Sequence, residues 1–108
     1  MGVKIKLTYH NDVPVFELHG RIRGSDAIKL SKKLEAFVTK PHPKVVLDLS
    51  RIDFVDSNWL GVFIYCLRLY MDNDKELIFY ITSDFIKDLF DNASIQTIAR
   101  IVDSLDAV

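Results

Sequence analysis

Two short apolar runs, residues 45–49 (VVLDL) and 77–81 (LIFYI), constrain this chain more than any other feature. A strand with one wet face alternates apolar and polar residues, whereas these runs are nearly continuous, as strands covered on both faces must be. Between them lies a helix-length apolar segment, from about Asn58 to Met71, stopped by Asp72-Asn73-Asp74. Strand, helix, strand in that order implies a right-handed parallel crossover. The 108 residues make one domain, spanning 1–108, with no repeat, low-complexity stretch or linker. At that size about two thirds of the unfolded surface can be buried.

The rest of the chain completes the pattern. Val3, Ile5, Leu7 and Tyr9 alternate with Lys4, Lys6 and Thr8, as in a strand with one solvated face. His10-Asn11-Asp12 supplies a turn, and 13–19 returns as the second arm of a hairpin. Pro14 places that arm at a sheet edge or is tolerated early in the strand. After the loop Gly20–Gly24, Ser25 or Asp26 caps a helix whose Ala27, Leu30, Leu34 and Phe37 share one face. Lys29, Lys32, Lys33 and Glu35 occupy the remainder, and Pro41-His42-Pro43 forbids continuation. A further helix over 84–92, a short strand near 98–102 and a turn at Asp103-Ser104-Leu105 follow. The expected fold is α/β: a mixed sheet of four to five strands with helices packed on it.

Composition narrows the function classes. With 49% hydrophobic and 27% charged residues the chain is globular and ordered. A net charge of -1 gives no general attraction for nucleic acid or an anionic membrane. The single cysteine, Cys66, permits neither an internal disulfide nor a cysteine-based metal cluster. No leader-like start and no membrane-length apolar run is present, so a cytoplasmic protein without membrane insertion is expected.

The helix after Ser57 is apolar nearly all round. Leu60, Phe63, Ile64 and Leu67 form one stripe, and Trp59, Val62, Cys66 and Leu69 form another. Only Tyr65, Arg68 and Tyr70 provide a polar back, so another element or a partner should cover the second stripe. Trp59, in the first turn, is expected to be the most exposed of these residues and the most useful to an interface.

Asp48, Asp53 and Asp56 follow a buried strand and could hold a divalent metal or accept a phosphoryl group, as in response-regulator receivers. A receiver also needs acidic residues after its first strand and a Lys after a late one. Here the first strand ends Thr8-Tyr9-His10, and no Lys follows Lys87. Ser57 lacks the Gly-x-Ser-x-Gly setting of a hydrolase, and the three histidines occupy unrelated positions. No catalytic residue, cofactor or metal is indicated. If the helix begins at Asn58, Ser57 is its N-cap. It is then either only a cap or a modification site, where a phosphate would be tolerated at the positive end of the helix.

The run Val45-Val46-Leu47-Asp48-Leu49-Ser50, then Ile52-Asp53-Phe54-Val55-Asp56-Ser57 and Leu60-Gly61, resembles the core motif of the STAS family. These are the anti-sigma-factor antagonists and the related domains of anion transporters. The similarity extends to the hairpin, the Gly20 turn, the late apolar strand and the final Asp-Ser-Leu segment. It implies a non-enzymatic, phosphorylation-switched binding module. Its partners would be an anti-sigma factor that is itself a serine kinase and a phosphatase acting on phosphorylated Ser57. The unphosphorylated form would sequester the kinase and release a sigma factor. The resemblance assigns phosphorylation to Ser57 and partner binding to Arg23, Gly24, Ser25, Asp26, Asp53, Asp56, Ser57, Asn58 and Trp59. A STAS scaffold or accessory subunit of a transport complex, with Ser57 serving only as a cap, is the alternative. The chain departs from the family at Gly20-Arg21-Ile22-Arg23, where Gly-Glu-Leu-Asp is common, and at Trp59, where a small residue is usual. A cation in place of a carboxylate should change the partner's complementary charge.

Overall fold

The computed structural model describes residues 4–20, 24–52 and 54–108. Val3 of the first strand, the loop residues Arg21, Ile22 and Arg23, and Asp53 lie outside the described residues. Five strands form a sheet in sequence order: β1 (Lys4–His10), β2 (Val13–His19), β3 (Lys44–Asp48), β4 (Glu76–Tyr80) and β5 (Ile101–Val102). β1 and β2 are antiparallel, joined by Asn11 and Asp12 at φ 49° and 67°. Those positive values are what a tight hairpin turn requires and what Asn and Asp tolerate. β2, β3, β4 and β5 are mutually parallel. Pro14 sits before β2 begins to pair with β3 at Val15, so its missing N–H costs no ladder bond there.

The helices α1 (Asp26–Phe37), α2 (Ser57–Asp72) and α3 (Asp84–Asn92) all pack on one sheet face. Alternate strand residues Phe16, Leu18, Val45, Leu47, Leu77 and Phe79 meet them there. The opposite face buries Val15, Val46, Ile78 and Val102 beneath Leu105 and Val108 of the C-terminal segment. This is why β3 is buried on both sides although every helix lies on one. Gly20, at φ 94°, turns the chain out of β2. Asp74, at φ 57°, ends α2: its N–H reaches the Met71 carbonyl and that of Lys75 the Tyr70 carbonyl. That paired arrangement satisfies carbonyls the helix would otherwise strand.

The buried side of α2 draws on both expected stripes, with Val62 and Leu69 of the second only half-buried. Trp59, Phe63, Cys66, Leu67 and Tyr70 are its buried residues, spaced so as to share one side. Tyr70, expected on the polar back, is buried and donates its hydroxyl hydrogen to the Leu34 carbonyl at 2.9 Å, tying α2 to α1. The expected late strand is confined to Ile101–Val102, after a 3-10 turn at Ile95–Thr97. Among the described residues, no helix is long and apolar enough to cross a membrane.

Candidate functional site

Because β2, β3 and β4 run in one direction, the segments leading into α1, α2 and α3 all leave the same edge of the sheet. Open parallel sheets place functional groups along that edge, at the carboxyl ends of their strands. It collects Gly24 and Ser25 from one loop and Asp56, Ser57 and Asn58 from the next.

The cap of α2 is Asp56, not Ser57. Asp56 has extended backbone angles, and its Oδ1 accepts the Trp59 N–H at 3.0 Å. Ser57 is therefore the first helical residue, where no donor is turned back toward its hydroxyl. Its side chain is exposed and makes no hydrogen bond among the described residues. Asn58 beside it is also exposed.

Asp48 is a brace. It is 1% exposed, and its Oδ1 accepts from the Ser50 N–H at 2.8 Å and the Ser50 hydroxyl at 2.6 Å. Its Oδ2 accepts from Arg51 at 3.1 Å. Both oxygens are committed to holding the turn after β3, which leaves little for a phosphoryl group or a metal. Glu17 pairs with Asp48 in register across β2 and β3. A hydrogen bond with His19 at 2.9 Å holds its carboxyl below the usual range despite partial burial, with help from Thr8 and Arg51. The two carboxylates thus lie side by side on neighbouring strands, each held by its own hydrogen-bond partners.

Two expected partner-binding residues point inward instead. Trp59 is fully buried, with its ring 5.7 Å from that of Phe63, so it is the foundation of the α2 start rather than its contact surface. Its bulk fills the core where the usual small residue would not. Asp26 is 3% exposed, with Lys29 Nζ 3.8 Å from its Oδ1. Among the described residues just before α1, Gly24 and Ser25 are exposed. Ser25 occupies the N-cap position of α1 without a side-chain cap bond, while the Gly24 carbonyl accepts the Ala27 N–H at 3.2 Å.

A family model of the STAS domain matches residues 4–108. The chain belongs to the STAS domain family. It is 28% identical to the anti-sigma-B factor antagonist of Listeria monocytogenes over 101 residues, covering 94% of this chain and 88% of that one. Its fold superposes on an anti-sigma factor antagonist from Mycobacterium paratuberculosis with a TM-score of 0.85, at 18% identity, covering 98% of this chain and 90% of the other. The Bacillus cell fate determinant SpoIIAA in its phosphorylated form superposes with a TM-score of 0.74 at 14% identity, covering 96% of each chain.

This STAS domain carries two surface residues at the same edge that sequence reasoning missed. Phe54, in the segment before α2, is 58% exposed, and Phe85, in the first turn of α3, is 48% exposed. Their only signals were an aromatic residue among carboxylates and another at the margin of an apolar helix face. Cys66, by contrast, offers no reactive thiol: burial first, and the Glu35 charge second, push its pKa up to about 12.

Proposed function

We propose that this STAS domain is an anti-sigma-factor antagonist, a binding module without catalysis of its own, switched by phosphorylation of Ser57. The observation that carries this reading is the division of labour at the α2 start. Asp56 supplies the cap, and Ser57 is exposed, its hydroxyl making no hydrogen bond among the described residues. The names of the sequence relative and the structural neighbour point the same way.

In this reading the unphosphorylated edge (Gly24, Ser25, Asp56, Ser57 and Asn58) binds an anti-sigma factor that is itself a serine kinase. Sequestering that kinase releases a sigma factor. Phosphate on Ser57 adds nearly two negative charges beside Asp56. The fold accepts them, since the first turn of a helix presents free N–H groups and a positive dipole end. A partner seated on this edge does not, because the charge must be desolvated against a carboxylate already there. A phosphatase acting on phosphorylated Ser57 resets the switch.

The test is incubation with ATP and the purified anti-sigma kinase of the same cell, with the modified residue mapped by mass spectrometry. Phosphate on Ser57, with loss of binding in Ser57→Asp and retention in Ser57→Ala, is the expected result. Unlabelled Ser57, with equal binding by both variants, would overturn the switch and favour a constitutive STAS scaffold in a transport complex.

A further inference from the structure

Phe54 and Phe85 are large apolar side chains left about half exposed, yet they pack against each other. Their rings stack with centroids 5.9 Å apart and planes inclined by 18°. They come from different elements, one three residues before Ser57 and the other from α3. Behind them α3 is seated rigidly: Ile86 and Phe90 are fully buried, and the Phe90 ring lies 5.8 Å from Phe63 of α2. The pair is thus a preformed apolar platform, whose ordering cost is already met before anything binds.

Among the described residues of α3, carboxylates dominate its exposed charge. Asp84, Asp88 and Asp91 lie at i, i+4 and i+7 on α3, so they share a face, and all three are exposed. Lys87 is the one cation on that helix, and Asp56, two residues after Phe54, caps the neighbouring helix α2. An anionic membrane or a nucleic acid would meet repulsion there. A second copy of this chain docking two-fold through Phe85 would set each acidic stripe near its own image. What fits is an apolar side chain flanked by cations.

We infer that Phe54 and Phe85 form a second docking anchor, which receives an apolar side chain flanked by Lys or Arg on the anti-sigma partner that reads Ser57. This rests on the function proposed above. It extends the interface from the α2 start across to α3, and it separates two tasks. Ser57 decides whether the partner binds, while the aromatic pair and its carboxylates help decide which partner.

Titration calorimetry of the purified anti-sigma kinase against the full chain tests this. Phe85→Lys should weaken binding roughly tenfold or more, as loss of an aromatic anchor does, and Phe85→Tyr should bind as wild type. Asp88→Lys should cost a few-fold and flatten the salt dependence. Unchanged emission from Trp59, the sole tryptophan, verifies the fold of each variant. If wild type and Ser57→Ala bind while Phe85→Lys and Phe54→Ala bind equally well, the anchor is overturned and the switch stands. If Phe85→Lys weakens binding but Ser57→Asp does not, the switch falls and the anchor stands. No binding by wild type overturns both. A wild-type dimer in sedimentation that Phe85→Lys dissociates would give the pair to a second copy and overturn the anchor.

Discussion

At the start of α3, Ser83 accepts the Ile86 amide on its own hydroxyl at 3.4 Å, whereas at the start of α2 the Trp59 amide goes to Asp56 at 3.0 Å. The same two residue types occur in opposite order, Asp56-Ser57 at one helix and Ser83-Asp84 at the other. In both, the residue three past the cap is fully buried, Trp59 in one and Ile86 in the other, so the geometry is shared. Asp and Ser are about equally good caps, so exchanging them changes helix stability little. What the exchange alters is which group faces solvent. Serine first gives a hydroxyl spent on the backbone; aspartate first gives a free hydroxyl on the first helical residue. Ser25-Asp26 at α1 has the α3 order but a third outcome, with no side-chain cap bond and a buried carboxylate.

The largest effect should come from the buried residue beneath the α2 cap. Trp59→Ala removes a fully buried indole and is expected to cost about 3–5 kcal/mol. That is a large part of the roughly 5–15 kcal/mol available to a domain of this kind. Denaturant unfolding followed by circular dichroism measures it. A cost below about 1 kcal/mol would mean that Trp59 faces solvent after all and belongs to the interface. Acrylamide quenching of the wild-type tryptophan gives an independent check, and a buried ring should resist it.

Next comes the cap itself. Asp56→Ala is expected to destabilise by about 1 kcal/mol, within the roughly 0.5–2 kcal/mol usual for a lost N-cap, and Asp56→Asn should restore most of it. The comparison breaks if Asp56→Ala is silent, because Ser57 would then be able to take over as cap. Hydrogen exchange at the Trp59 amide, which should quicken in Asp56→Ala alone, locates the effect.

The elements legible in the sequence were those set by patterning. The continuous apolar runs became β3 and β4, and the α3 span emerged unchanged at Asp84–Asn92. Burial on both faces leaves few alternatives for such segments. The α2 cap was not legible, because Asp and Ser are adjacent and near-equal in propensity. Only the extended backbone of Asp56 against the helical backbone of Ser57 distinguishes them. Trp59 was placed on the wrong side for a related reason. Tyr70 counts as polar in a sequence, yet here its ring is core and its hydroxyl finds the Leu34 carbonyl. With Tyr70 turned inward, the buried side of α2 runs through Trp59 and Cys66. The Phe54–Phe85 stack depends on two segments 31 positions apart meeting at one sheet edge (85 − 54 = 31), which no local pattern encodes.

The smallest effect is the most telling. Ser83→Ala should cost about 0.5 kcal/mol, the low end for a cap, since a 3.4 Å bond is long. Ser57→Ala should change stability by less than that, within the roughly ±0.5 kcal/mol of ordinary surface substitutions. Its hydroxyl is exposed and makes no hydrogen bond among the described residues. The pair of measurements therefore separates a serine kept for the fold from one the fold does not use. A Ser57→Ala cost equal to or above that of Ser83→Ala would show Ser57 working for the helix, and the reading of a hydroxyl held free for phosphate would lose its structural basis. A Ser57→Ala chain that is as stable as wild type, yet no longer responds to kinase and ATP, would tie the residue to regulation alone.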